Sequence, residues 1–235
     1  MAATFASFAL LLSFGLAEEM ESFVEPSPRQ LDYLLHLPPD YETKSEQQFP
    51  LVIFLHGAGE RGSDLNQVAT HGPPQLARSG RKFPFILVSP QCPAESWWTM
   101  QPVDQLIDHI EETLRVDPER IYLTGLSMGG YGTWHFAALD PHRFAAIAPV
   151  CGGGIPYHMR KLGHLPIWVF HGAQDSVVRL EESERLVGLL QKKGNEAVKL
   201  TVYPEAGHDS WTEAYLTDEL YTWMLSHTRV PEKPQ

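Results

Sequence analysis

Short apolar runs that recur along the chain constrain its fold more than any other feature of the sequence. A continuous apolar run of this length predicts a strand that is buried on both faces of a parallel sheet. Such runs lie at 51–56, 85–89, 121–124, 145–150 and 167–170. A first strand is expected at 31–37 and an edge strand at 198–203.

Segments with helical periodicity separate these runs. The segment 103–115 carries an apolar stripe at helical spacing, made of Val103, Leu106, Ile107, Ile110 and Leu114. Further helices are expected at 128–139, 180–193 and 212–227. Strands that alternate with helices imply right-handed crossovers between parallel strands. We therefore expect an α/β fold of three layers, in which helices cover both faces of a mostly parallel central sheet.

Length, charge and cysteine content limit the number of domains and the kinds of partner and site that we expect. A chain of 235 residues fits one domain of this kind. The net charge of -11 argues against a nucleic-acid partner, because phosphate binding requires a basic surface. The two cysteines, Cys92 and Cys151, follow different predicted strands, and no Cys/His spacing typical of a metal site is present. We therefore expect free thiols and no metal.

The N-terminal segment 1–17 has two interpretations. It lacks charged side chains, contains the apolar run 8–12 and ends in Gly15-Leu16-Ala17, as a secretory signal peptide would. It also lacks the Lys or Arg that usually begins a signal peptide, which leaves a helix of a cytoplasmic protein as the alternative. Its apolar run is too short for a stable membrane span. We expect a signal peptide and a secreted or periplasmic location.

Behind this segment we expect three further parts of the chain. Residues 18–28 are acidic and contain proline, and are interpreted as a tether. The α/β domain is expected at 29–228, followed by a short tail at 229–235.

The turn after the strand at 121–124 carries the clearest chemical motif. In sheets of this kind, functional sites form beyond the carboxyl ends of the strands. Here Gly125-Leu126-Ser127-Met128-Gly129 joins a predicted strand to a predicted helix. The G-x-S-x-G pattern in this setting predicts a strained turn that presents the Ser127 hydroxyl beside the amides of the helix N-terminus. We therefore predict that Ser127 is a nucleophile rather than an ordinary turn residue.

A serine nucleophile requires a general base and a carboxylate that orients the base. Asp175 follows the strand at 167–170, and His208 follows the strand at 198–203. The order Ser, Asp, His along the chain is the order that this nucleophile turn predicts. His171 ends a strand and is expected to be structural, and His56 is expected to brace the loop that it precedes. We predict Ser127, Asp175 and His208 as the catalytic residues.

The loop 56–62, His-Gly-Ala-Gly-Glu-Arg-Gly, follows another buried strand. Its glycines allow backbone amides to approach a substrate carbonyl, so we predict an oxyanion hole formed by the amides of Ala58 and Met128. Gly59 is the alternative donor. Phosphate binding is disfavoured because the lysine of a P-loop is missing. Glu60 and Arg61 are expected either to pair with each other or to contact substrate.

These motifs resemble those of the α/β-hydrolase superfamily over residues 29–228. More narrowly, the segments 33–38, 56–62 and 125–132 resemble the compact esterase and "predicted peptidase" group, which includes enzymes like feruloyl esterases and polyhydroxybutyrate depolymerases. The resemblance implies a sheet of about eight strands, no cofactor, and acyl transfer through a covalent acyl-enzyme.

The link at 151–166 is too short for the cap domain that many such proteins insert there. We therefore expect an open cleft and a serine carboxylesterase that acts on small-molecule esters, short-chain or exposed, with aryl or feruloyl-type esters among them. Trp97, Trp98 and Trp211 are expected either to line the cleft or to pack in the core. A small serine peptidase or a thioesterase of the same fold is the alternative. A non-catalytic binding protein is disfavoured by the complete Ser, Asp and His set, and the sequence does not predict the oligomeric state.

Overall fold

The computed structural model describes the backbone of residues 23–26 and, in full, residues 31–229. Within these residues, eight strands form one sheet in the order β1-β2-β4-β3-β5-β6-β7-β8. The strands are β1 (Phe23–Pro26), β2 (Asp32–His36), β3 (Phe49–Leu55), β4 (Ile86–Pro90), β5 (Val116–Leu126), β6 (Ala146–Val150), β7 (Ile167–Gly172) and β8 (Val198–Tyr203). From β4 to β8 the neighbouring strands are parallel, and β2 is antiparallel to both of its neighbours. The predicted mostly parallel sheet of about eight strands is confirmed.

Six α-helices cover the two faces of this sheet in the described part of the chain. They are α1 (Gly72–Arg78), α2 (Met100–Thr113), α3 (Met128–Leu139), α4 (Leu180–Lys192), α5 (Trp211–Leu216) and α6 (Asp218–Leu225). Buried side chains of α2, α3 and α4 form one apolar layer, and those of α1, α5 and α6 form the other. The three-layer architecture is therefore confirmed.

Strand β3 shows why the predicted strands are continuously apolar. All seven of its residues are buried. Leu51, Ile53 and Leu55 pack into the layer with α2 to α4, whereas Val52 and Phe54 pack into the layer with α1, α5 and α6. Because successive side chains of a strand point to opposite faces, a strand covered on both faces needs apolar residues at every position.

The segment 212–227 forms two helices rather than the single helix that its periodicity predicts. Helix α5 ends before Thr217, whose backbone is extended (φ -74°, ψ 111°), and α6 begins at Asp218. Asp218 and Glu219 then occupy the first turn of α6, where acidic side chains interact favourably with the helix dipole. The Thr-Asp-Glu sequence is a helix start signal inside an otherwise helical pattern.

Other differences lie near the N-terminus. The interval 18–28, expected to be a tether, contains strand β1, which pairs with β2. Helix α1 is absent from the sequence prediction, and it begins with two prolines near its first position, where the missing amide hydrogens have no intrahelical acceptor. The expected signal peptide at 1–17 lies outside the described residues, as does the tail beyond Arg229. Among the helices of the described chain, none has the length and apolar character that crossing a bilayer would require.

The link between β6 and β7 contains a short 3-10 helix, Pro156–Leu162. No cap domain is inserted there, as predicted. The loops that follow β3, β5, β7 and β8 therefore meet at the carboxyl edge of the sheet with no domain above them in this part of the chain.

Candidate active site

Ser127 sits at a strained turn between β5 and α3. Its backbone has φ 52° and ψ -115°, a region that L-residues rarely adopt. A Cβ atom at Gly129 would overlap the carbonyl oxygen of Leu55, and one at Gly125 would lie 2.5 Å from the carbonyl oxygen of Gly129. The two glycines of the motif therefore allow α3 to start against the end of β3, which makes the sharp turn at Ser127 sterically feasible.

The structure brings Ser127, His208 and Asp175 into one hydrogen-bonded chain. The distance from Ser127 Oγ to His208 Nε2 is 2.9 Å, and that from His208 Nδ1 to Asp175 Oδ2 is 2.7 Å. Because a carboxylate can only accept, His208 carries its proton on Nδ1 and leaves Nε2 free to accept the serine hydroxyl. The Asp175 side chain is fully buried, whereas the His208 side chain is 20% exposed. The arrangement can therefore remove a proton from Ser127 at an accessible position.

The loops that carry Asp175 and His208 are joined through their backbones. Ala173 donates to the carbonyl of Tyr203, and Gln174 donates to the carbonyl of Ala206. A Cβ atom at Gly172, the last residue of β7, would overlap the carbonyl oxygens of Ala206 and Gly207. The close approach of the two loops therefore depends on glycine at position 172.

The predicted oxyanion loop lies directly beside Ser127. A Cβ atom at Gly57 would be 3.7 Å from Cβ of Ser127. Ala58 is exposed and begins a 3-10 helix, and Met128 begins α3. Neither the Ala58 nor the Met128 amide has a hydrogen-bond acceptor within the described part of the chain. Gly59, the alternative donor, is exposed next to Ala58.

His56 braces this loop, as predicted. Its Nδ1 lies 2.6 Å from the carbonyl oxygen of Gly57, and its Nε2 accepts from the Cys92 amide at 2.9 Å. Burial lowers the pKa of His56 to about 4, with a smaller contribution in the same direction from the Arg61 charge. The imidazole is therefore neutral at neutral pH, and it acts as a structural link rather than a base.

Arg61 does not form the pair with Glu60 that was one of its two expected roles, and its carbonyl partners were not predicted. It donates to the carbonyl oxygen of Ala58 at 2.9 Å and to that of Ser96 at 3.1 Å, and no ion pair with Glu60 forms between these two described residues. Arg61 thereby ties the predicted oxyanion loop to the loop that carries Trp97. The only sequence signal was the position of an arginine in a glycine-rich loop, which does not identify two carbonyl partners.

The three tryptophans have different environments. Trp98 is buried and donates to the carbonyl oxygen of His56 at 3.0 Å, whereas Trp97 is 63% exposed. Both line an apolar cavity of about 200 Å³, whose wall includes Met128, the neighbour of Ser127. Trp211 does not line this cavity. Its ring lies edge-on to the His208 ring, with the two ring centroids 5.3 Å apart. Trp98 therefore both packs in the core and lines the cavity, and Trp97 lines the cavity. Trp211 packs against the ring of His208 instead.

A group of potential metal ligands coincides with the Ser127 site. Ligand atoms of Cys151, Asp175 and His208 lie within 4.8 Å of one another. Burial raises the pKa of the Cys151 thiol to about 12, which disfavours the thiolate that a metal would need. Both ring nitrogens of His208 are already in hydrogen bonds, with Asp175 and with Ser127. The donor set therefore fits a metal poorly, and Cys92 and Cys151 are both free thiols.

Known proteins with related sequences are hydrolases. A bifunctional acetylxylan esterase/xylanase of Neocallimastix patriciarum is 28% identical over 184 residues, which cover 74% of this chain and 26% of that protein. Poly(3-hydroxyalkanoate) depolymerase C of Paucimonas lemoignei is 28% identical over 150 residues, which cover 56% of this chain and 33% of that protein. The chain thus spans about a quarter to a third of the length of these relatives.

The solved structure of a thermostable esterase is similar over most of the chain. It aligns with a TM-score of 0.75 and 32% identity, and the alignment covers 90% of this chain and 64% of that one. The profile of the Dienelactone hydrolase family matches residues 95–215, slightly more than half of the chain. That interval contains Ser127, Asp175 and His208, and the predicted resemblance to α/β-hydrolases of the compact esterase group is confirmed. With this fold, these relatives and this family match, the chain belongs to the dienelactone hydrolase family.

Proposed function

We propose that this protein is a serine carboxylesterase that hydrolyses short-chain or exposed carboxylic esters, aryl esters among them. The observation that carries the proposal is the continuous chain of hydrogen bonds from Ser127 through His208 to Asp175 at a strained turn. Esterases among the relatives and solved structures support the same reaction class.

In the proposed reaction, Ser127 Oγ attacks the ester carbonyl while His208 Nε2 takes the hydroxyl proton. Asp175 holds the required tautomer of His208 and stabilises the imidazolium. The amides of Ala58 and Met128 bind the oxyanion of the tetrahedral intermediate. His208 then returns the proton to the leaving alcohol, which yields an acyl-enzyme. Water, deprotonated by His208, attacks the acyl-enzyme. The bond to Ser127 Oγ then breaks as His208 returns the proton to that oxygen, and the acid is released.

The surroundings of Ser127 support the substrate class. The link 151–166 adds no cap, so nothing in the described chain encloses a long acyl group. The cavity of about 200 Å³ beside Met128 is walled by aromatic rings, among them Trp97, Trp98 and Tyr131. An apolar cavity of about 150 Å³ accommodates a benzene ring, so this one has room for a single aryl group. Short acyl groups and aryl groups therefore fit better than long chains.

The Ser127→Ala variant tests the reaction. We expect turnover of p-nitrophenyl acetate or butyrate to fall by about three orders of magnitude or more, because the nucleophile is lost while binding remains. A series of p-nitrophenyl and aryl esters of graded chain length, run with the wild-type protein, tests the substrate class. Near wild-type turnover by Ser127→Ala would contradict the proposal.

Two comparisons separate the alternatives. A matched amide, thioester and ester of one acyl group decide between a peptidase, a thioesterase and an esterase, and we expect the ester to have the highest kcat/KM of the three. A fluorophosphonate probe decides between an enzyme and a binding protein, because only an activated serine reacts with it. We expect Ser127 to be labelled.

We further propose that the substrate is a small molecule and that the protein is secreted or periplasmic. The apolar run 8–12 and the ending Gly15-Leu16-Ala17 support this location, because a secretory signal peptide has both features. N-terminal sequencing of the protein from its native source tests it, and a mature chain that starts after Ala17 is the expected result. A chain that retains residue 2 onward would favour the cytoplasm.

A further inference from the structure

Behind Asp175 lies a second histidine, His171, which the proposed reaction does not use. We propose that His171 is a positioning residue that holds the Asp175 carboxylate toward His208; this inference rests on the proposed esterase function. His171 is the fifth residue of β7 and has no exposed surface. It does not reach the substrate side of the site, because Asp175 and His208 lie between it and Ser127.

The contacts of His171 determine which of its nitrogens carries the proton. Nε2 lies 2.8 Å from the carbonyl oxygen of Val178 and 3.3 Å from Oδ2 of Asp175. A carbonyl oxygen can only accept, so Nε2 carries hydrogen and donates it to the Val178 carbonyl, while Oδ2 of Asp175 is a close polar neighbour of the same nitrogen. Nδ1 lies 2.7 Å from Oγ of Ser183, whose hydroxyl donates to it in the neutral ring.

These contacts close the turn that carries the acid. The Val178 amide donates to Oδ1 of Asp175 at 2.9 Å, and the Val178 carbonyl accepts from His171. Val178 is thus held from both sides, and the second amide on Oδ1 comes from Val177. The other carboxylate oxygen, Oδ2, faces both His208 and His171. The orientation of the carboxylate plane therefore depends on the His171 ring.

Ser183 connects this arrangement to the rest of the fold. It is fully buried in the first turns of α4, and its hydroxyl also lies 3.4 Å from the carbonyl oxygen of Gly152 in the loop after β6. Because its one hydrogen goes to Nδ1 of His171, Ser183 does not also donate to Gly152. The polar chain therefore runs from Ser127 through His208, Asp175 and His171 to Ser183, and it ties the acid to β7 and α4.

If His171 only filled space, its hydrogen bonds would be unnecessary. An apolar side chain of similar volume could fill the same space, but it would remove the donor of the Val178 carbonyl and the polar neighbour of Oδ2. Buried polar groups without partners are costly, so the turn would rearrange to regain hydrogen bonds. A rearranged turn would move Asp175 relative to His208, and a shift of about 1 Å in such a chain can reduce the rate by about a hundredfold.

Two conservative variants separate positioning from packing. In His171→Gln, the side-chain amide nitrogen can occupy the place of Nε2 and donate to the Val178 carbonyl. In His171→Asn, the shorter side chain reaches only the place of Nδ1 and Ser183. We expect His171→Asn to lower kcat for p-nitrophenyl acetate by about tenfold to a hundredfold with KM unchanged within about twofold, and His171→Gln to recover most of that loss.

The wild-type protein and Ser127→Ala are measured in the same assay, which separates the two claims. Equal turnover by these two proteins would overturn the esterase mechanism itself. With that mechanism intact, wild-type kcat in folded His171→Asn would overturn the positioning role, and so would equal losses in the Asn and Gln variants. If His171→Asn does not fold, Ser183→Ala carries the test: a kcat reduced severalfold at unchanged KM supports the role, and an unchanged kcat overturns it.

Discussion

Ser127 adopts a backbone conformation that non-glycine residues rarely hold, and the residues two positions before and after it are glycines. The positive φ of Ser127 is stable only because the surrounding structure leaves no relaxed alternative. Gly129 lets α3 approach the carbonyl of Leu55, and Gly125 leaves room for the carbonyl of Gly129. The reactive geometry at one residue is therefore determined by the absence of side chains at two others.

At this scale we predict that Gly129→Ala destabilises the protein by about 3 kcal/mol or more, because the added methyl group overlaps backbone atoms that cannot move independently. Urea unfolding followed by circular dichroism measures the change. Gly188→Ala in α4 is the matched control, since a Cβ atom there meets nothing within 4 Å. The control should match or exceed wild-type stability by up to about 1 kcal/mol. Equal stabilities of the two variants would contradict the steric argument.

At the scale of elements, the strands from β3 to β7 were predictable, because burial on both faces imposes continuous apolar runs. Helix α3 begins and ends at the predicted residues. Strand β5 extends back to Val116, through residues 117–120, where the register with β3 shifts. Those residues, Asp-Pro-Glu-Arg, are polar and typical of a turn, so a local pattern could not include them. Pairing with a neighbouring strand determined that boundary.

Some features of the candidate site were likewise predictable from the sequence, and others were not. Ser127, Asp175 and His208 could be selected as candidates because each lies in the turn or loop after a predicted strand and because of their order along the chain. The bonds of Arg61 to Ala58 and Ser96 and the cavity beside Met128 were not identifiable. Both depend on segments that are distant in sequence and meet only in the folded chain, so no periodicity or spacing reports them.

The junction between the β7 and β8 loops gives the prediction at this scale. Gly172→Ala should separate the two loops, because its methyl group overlaps the carbonyls of Ala206 and Gly207. Asp175 and His208 lie on opposite sides of that junction, so we expect kcat to fall by about tenfold to a hundredfold. Ester kinetics measure the effect, with Gly163→Ala as control, since open space surrounds position 163. Wild-type kcat in folded Gly172→Ala would show that the junction does not position the pair.

At the scale of the whole molecule, two apolar layers enclose the sheet and leave its carboxyl edge for polar groups. Some histidines are nevertheless buried beside these layers. Burial lowers the pKa of His56 to about 4, and burial together with the charge of Arg78 lowers that of His36 to about 4. Both groups therefore link the stability of the fold to pH.

The direction in which the free energy of unfolding changes with pH follows from which state binds more protons. Between about pH 6.5 and pH 4 the unfolded chain binds protons at His36 and His56 that the folded chain does not, so the free energy of unfolding decreases as the pH falls. Each histidine contributes a slope of at most about 1.4 kcal/mol per pH unit, and below about pH 4 its contribution is constant. Urea unfolding at pH 7, 6 and 5 measures the slope. His36→Gln should have a shallower slope than wild type, and an identical slope would refute the assignment for His36.

In the proposed reaction Ser127 carries the acyl group of a covalent intermediate, and this acyl group can be detected in the intact protein. Rapid acid quench during turnover of p-nitrophenyl acetate, followed by mass spectrometry of the peptides, identifies any acetylated side chain. We predict an acetyl group on Ser127 that is absent from the Ser127→Ala variant. Turnover with no acetylated residue, or with the acetyl group on another side chain, would contradict this prediction.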